Sequence, residues 1–301
     1  MFLVGVDENG LGPRLGPLIA TAVALEVDAY LPREHRALGQ SLGIYDSKST
    51  SGFGKMAAAE GVALALIERL HGQRPRDADE LLVLVGWEHG AKTSAPCPWR
   101  SRPQCWSVQV ALPAFGGQID RGHRALDRLS AAGIELRNAC SAVLCAALLN
   151  AEVLRLGSKL LVDLTLFERL LLETRARLPA DVEALCGKVG GIDRYPAYFQ
   201  HLTCYTVEAQ GRASSSYRVA SLGRVTFEVD ADANHLPVGL ASMLGKYLRE
   251  VQMERQNRFY LQLDPSLKRV SGYRDKRTSE FIAATHLLRQ RLSIADQCFE
   301  R

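Results

Sequence analysis

The chain has 301 residues, 47% of them apolar, so it can bury a sizeable core as one large domain or two small ones. Its 37 Lys and Arg against 33 Asp and Glu leave a formal charge of only +4, which permits nucleic-acid binding without announcing it. No run of eighteen apolar residues is present, and the first apolar stretch meets Asp7 too early for a signal peptide, so a cytoplasmic protein is expected.

Seven cysteines without a C-x-x-C pair argue against a disulfide framework or a standard zinc knuckle. Cys97 and Cys105 lie in a Pro-rich segment that reads as a plain surface loop rather than a metal site shared with His89.

Residues 2–6 read as a buried strand that delivers Asp7 and Glu8 into a Gly/Pro-rich turn. A second apolar strand, 18–25, follows at once. Two carboxylates at the end of a buried strand repel each other and lose hydration, a cost that a divalent cation removes. Gly10, Gly12 and Gly16 also admit a dinucleotide-binding reading, but the spacing is one residue too long and Pro13 and Pro17 interrupt the helix it requires. An ordinary turn that carries two acids is the other alternative.

Further along, 49–70 reads as a helix, 81–87 as a third strand and 106–112 as a short strand after an insertion at about 88–117. The Ala-rich stretch 136–156 and then 164–178 read as helices, and 183–187 as a weak strand. The runs 198–207 and 216–229 bracket a hairpin loop, 236–255 is a long helix with Pro237 at its start, and 280–292 is a closing helix.

Four ordered motifs carry a family resemblance. The run Asp7-Glu8-Asn9-Gly10-Leu11-Gly12-Pro13-Arg14-Leu15-Gly16-Pro17 resembles the D-E-A-G-R-G-P-x-x-G-P opening of type 2 ribonuclease H. Asp46-Ser47-Lys48 is similar to that family's D-S-K. Asp232 to Lys246 is similar to its D-x-x-x-x-x-x-x-A-A-S-x-x-A-K, and Ser271-Gly272-Tyr273 with Asp275 and Thr278 resembles a motif of the archaeal and eukaryotic branch.

The resemblance implies an α/β fold: a ribonuclease H-like, mixed and largely five-stranded sheet flanked by helices. It implies a core at 1–258 and a helical C-terminal cap at 259–301. The implied activity is endonucleolytic hydrolysis of the RNA strand of RNA–DNA hybrids, or at embedded ribonucleotides, with Mg²⁺ or Mn²⁺. Asp7, Glu8 and Asp232 become the implied catalytic metal ligands, and Gly10, Leu11, Gly12, Lys48 and Tyr273 the substrate-binding residues. A monomer acting on nucleic acid, with no membrane partner, is expected.

The chain departs from the family in two places. The fourth acid falls on Gly187 in the segment 186–191, with Tyr195 echoing a downstream Tyr; Asp163 in V-D-L and Asp193 are rival placements. The Arg of G-R-G is Leu11, which retains the backbone contacts and loses a cation for phosphate. Asp230 stands where the family usually has a Lys, and reads either as an added ligand or as a solvated neighbour. Lys246 and the basic residues Arg249, Lys268, Arg269, Arg274, Lys276 and Arg277 are candidates for contacting phosphate. The alternative to a nuclease is a nucleic-acid-binding protein that kept the fold after losing its fourth acid.

Overall fold

The computed structural model describes residues 1–44, 55–86 and 107–301. The D-S-K segment with Lys48, the first part of the 49–70 helix, Trp87, His89, Cys97 and Cys105 lie outside the described residues.

β1 (Phe2–Asn9) and β2 (Leu18–Val27) are antiparallel neighbours, as their two apolar runs predict. They belong to a seven-stranded mixed sheet with β3 (Ile134–Leu144), β4 (Val182–Gly187), β5 (Tyr205–Ala209), β6 (Ser214–Val219) and β7 (Gly223–Glu228). The strand order is β3-β2-β1-β4-β7-β6-β5. β4 is parallel to both β1 and β7, and the other pairings are antiparallel. The sheet therefore has two strands more than the five expected, within the same mixed α/β class.

Around the sheet run α1 (Pro32–Leu42), α2 (Ala57–His71), α3 (Ala78–Val85), α4 (Ile119–Ala131), α5 (Ala146–Leu156) and α6 (Lys159–Ala176). They are followed by the single turn α7 (Ala231–Asn234), then α8 (Leu236–Leu263), α9 (Lys276–Ala284) and α10 (His286–Arg291). Alternation along β1 divides the core. Leu3 packs with α2, α3, α4 and α8 on one face, while Phe2, Val4 and Val6 pack with α6 on the other.

Four expected elements differ in the structure. Residues 81–85 of the expected 81–87 strand lie in helix α3, because the Asp77 carboxylate accepts the N–H groups of Asp79 and Glu80, both at 3.0 Å, and caps a turn there. Leu81, Leu82 and Val85 then face inward while Val83 is exposed, which is helical rather than alternating spacing.

The Ala-rich 136–156 stretch divides into strand β3 and helix α5. Residues 139–143 are all buried, so their composition gives no alternation to read. The pairing of β3 with β2 decides it, reinforced by the buried Thr21–Ser141 hydroxyl contact at 2.9 Å. The expected 106–112 strand contributes only a bridge from Ala111 to Asp77 among the described residues. The 216–229 run divides at Gly223 into β6 and β7.

Candidate active site

The turn from β1 to β2 carries Gly10 to Gly16 between antiparallel neighbours, with no helix following. There is thus no helix N-terminus for a pyrophosphate, and the dinucleotide alternative falls.

Asp7 ends the buried part of β1 on the face covered by α8. A Cβ at Gly5 would collide with the backbone of Pro237 and Val238, so α8 rests directly on the strand. Further along that contact, a Cβ at Gly245 would come within 2.8 Å of Asn9 and Thr21. The Asn9 side chain donates to the Ser242 carbonyl at 3.2 Å, and the Ser242 hydroxyl donates to the Asp7 carboxylate. Small residues along α8 let it approach closely enough for that hydroxyl to orient the acid. Ser242 lies within the 232–246 motif, and only the helix–strand contact makes Asp7 its partner.

Asp232 lies on α7, which is pinned from both sides. Asn234 donates to Glu228 at 3.0 Å, His235 pairs with Glu228 at 3.2 Å, and Tyr30 hydrogen-bonds His235. Asp7, Glu8, Asp230 and Asp232 line one pocket together with Gly10, Leu11, Gly12, Gly187, Lys246 and Tyr273. Burial first, then the Glu8 and Asp232 charges, push the Asp7 carboxyl well above the usual carboxylate range.

The Gly-rich turn is clamped against the Tyr273 segment. Arg14 and Leu15 N–H groups donate to the Gly272 carbonyl at 2.8 and 3.1 Å, and Arg274 Nε donates to the Gly12 carbonyl at 3.3 Å. Tyr273 is 46% exposed, and the Arg249 guanidinium stacks 4.8 Å from its ring. Leu11 packs on the apolar core. Of the candidate phosphate contacts, Arg249 is buried against Glu250, Arg269 pairs with Glu254, and Lys276 pairs with Glu280.

Gly187 closes β4 beside Asp7, because Cys186 is in register with Val6. A Cβ placed there would lie 2.7 Å from Asp7 Oδ1 and 3.7 Å from Glu8 Oε2. A side chain at this position would thus enter the acid cluster, and glycine supplies none. The donors that remain are all carboxylate oxygens, which suits a hard divalent cation. Among the described residues, no three acidic, His or Cys side chains are set closely enough to hold a metal ion as they stand. The acids share a pocket without forming a closed cage.

No family model and no curated protein matches the chain. Solved structures do. The ribonuclease HII structure from the PCNA complex of Archaeoglobus fulgidus is 15% identical, with 99% of this chain and 93% of that one covered at a TM-score of 0.50. The fold is that of a type 2 ribonuclease H. Bst-RNase HIII in complex with Mn²⁺ is 16% identical over all of this chain and 66% of its own, at a TM-score of 0.48. The ribonuclease H2 from Pyrococcus horikoshii OT3 is 15% identical, with 96% and 89% covered, at 0.44.

Within this ribonuclease H fold the two rival placements of the fourth acid stand apart from the pocket lining. Asp193 is drawn to Lys188 at 2.5 Å. Asp163 lies on α6 under the sheet, not on a strand, with no exposure and neither carboxylate oxygen hydrogen-bonded. Burial, then the nearby Asp7 charge, raise its carboxyl well above the usual range.

Because the folded state holds that proton more tightly than the unfolded chain, the contribution to stability is complete below the unfolded value near 3.8 and is lost as pH rises. Asp163→Asn is therefore expected to raise Tm at pH 8, by about 2–4 °C for each kcal/mol relieved, and to change it little at pH 4. Calorimetric scans at the two pH values check this.

Among the described residues, no helix is long and apolar enough to cross a membrane.

Proposed function

We propose that the protein is a Mg²⁺- or Mn²⁺-dependent endonuclease that hydrolyses the RNA strand of RNA–DNA hybrids or cuts at ribonucleotides embedded in duplex DNA. One observation carries the reading. Asp7, Glu8 and Asp232, from two separate parts of the chain, meet in the pocket that also holds the Gly10–Gly12 turn and Tyr273. Asp7, Glu8 and Asp232 would hold the cation, which when bound supplies activation of water and stabilisation of the departing oxygen.

The protein's own groups do the rest. Ser242 fixes the Asp7 carboxylate by donating to it. Gly10 is held at φ +98°, where a Cβ would meet the Pro17 carbonyl at 2.6 Å, so the turn presents bare backbone to a sugar–phosphate chain. Tyr273, braced by Arg249, offers a ring face and a hydroxyl to a ribose across the pocket. Lys246 lines the same pocket and is placed to neutralise phosphate. Leu11, folded onto the core, makes no phosphate contact of its own. Residues 259–301 act in this scheme as the cap that carries Tyr273.

The test is cleavage of a DNA duplex with one embedded ribonucleotide, with Mg²⁺ or Mn²⁺ and then with chelator. The expected result is cutting beside the ribonucleotide, lost with chelator and reduced at least about 100-fold in Asp232→Asn, since even supporting shells of a metal site are worth about 10–100-fold. Gly187 favours a second reading, a binding protein without catalysis. Duplex binding with no cutting under any of these ions would establish that reading instead.

A further inference from the structure

β4 and β7 run parallel, with Gly187 opposite Glu228. Two residues past Glu228, at the next strand end, stands Asp230. It lines the same pocket as Gly187, Asp7, Glu8 and Asp232, and it is exposed. Its backbone sits at φ 54°, ψ 32°, in the left-handed region that few residues other than glycine enter. Asp and Asn tolerate that region best among side-chain-bearing residues. The turn that results leads straight into α7 and Asp232.

Four carboxylates, Asp7, Glu8, Asp230 and Asp232, line this pocket beside Lys188 and Lys246. The charged groups that act on Asp7, Glu8 and Asp232, are both acids. Lys188, on the pocket wall, is already engaged by Asp193. Compared with the sequence pattern the chain resembles, one acid is absent at the end of β4, and one has appeared at the end of the adjacent strand in place of a cation.

We propose that Asp230 is the fourth carboxylate of this pocket and holds a divalent cation with Asp232, in the role that Gly187 has no side chain to fill. The proposal rests on the metal-dependent reading of the site. Asp230 stands one strand over from Gly187 and two residues beyond the position in register with it, and both line the same pocket.

Mn²⁺ titration by calorimetry tests it in the full chain, with Asp230→Asn, Gly187→Asp and the double variant beside the unmodified protein. Asn keeps the left-handed turn, and Gly187 has no positive φ, so an Asp there displaces only the rotatable end of Asp7. Asp230→Asn is expected to weaken Mn²⁺ binding about tenfold or more with Tm in chelator unchanged, and the double variant to recover most of that loss. Mn²⁺ binding in Asp230→Asn equal to that of the unmodified protein overturns the proposal.

Cleavage of the ribonucleotide duplex, measured in parallel, separates the two readings. Asp230-dependent Mn²⁺ binding without any cleavage supports this inference and sinks the nuclease assignment. Cleavage with Mn²⁺ binding indifferent to Asp230 does the reverse.

Discussion

Asp7→Asn is expected to abolish metal-dependent cleavage, by at least about 100-fold, while making the protein more stable in chelator. Both effects come from one placement. Asp7 is enclosed by β1, the end of β4 and α8, and burial together with Glu8 and Asp232 disfavours its charge. Asn preserves the shape and still accepts from Ser242, so what is removed is the charge.

The direction with pH follows from the raised carboxyl. Its contribution is whole below the unfolded value near 3.8 and declines as pH rises, so the Tm advantage of the variant grows from pH 4 to pH 8. Added Mn²⁺ should reverse the order, because an ion that binds only the folded state stabilises the unmodified protein and finds a poorer site in Asp7→Asn. Asp163 and Asp7 act on each other, so Asp7→Asn and Asp163→Asn are expected to be less than additive in Tm at pH 8. An Asp7→Asn protein that cuts at the normal rate would remove Asp7 from the reaction.

Gly5→Ala is expected to cost about 3 kcal/mol or more, a Tm loss of about 6–12 °C, or to yield insoluble protein. The added methyl would fall on the backbone of Pro237 and Val238, which cannot rotate away as a side-chain tip can. Either α8 lifts from β1 or the strand bends, and both separate Ser242 from Asp7. Any folded fraction should therefore also lose activity. Gly12→Ala is the matched control, since a Cβ there meets nothing within 4 Å, and its stability should stay within about 0.5 kcal/mol of the parent. Chemical denaturation of the two variants side by side reads the difference.

Much of this arrangement was legible in the residues alone. The first two strands, the turn between them and the long helix starting near Pro237 show local patterns that tertiary contacts left unchanged. Elements buried on several sides were harder. β3 and α3 are both short apolar runs, and nothing local distinguishes a strand between helices from a helix under a sheet. In α3 the Asp77 cap decides; in β3, the pairing with β2.

For the site, sequence by itself determined which acids are present, that two of them close a buried strand, and that the turn after them is bare backbone. Tertiary structure alone decided how they combine. It set Gly187 against Asp7, sent Asp163 beneath the sheet, and brought Asp230 into the pocket. The reason is one of range. Strand pattern and turn chemistry act over a few residues, whereas the match of one carboxylate to another across more than two hundred positions depends on strand order and register, which only the packed sheet fixes.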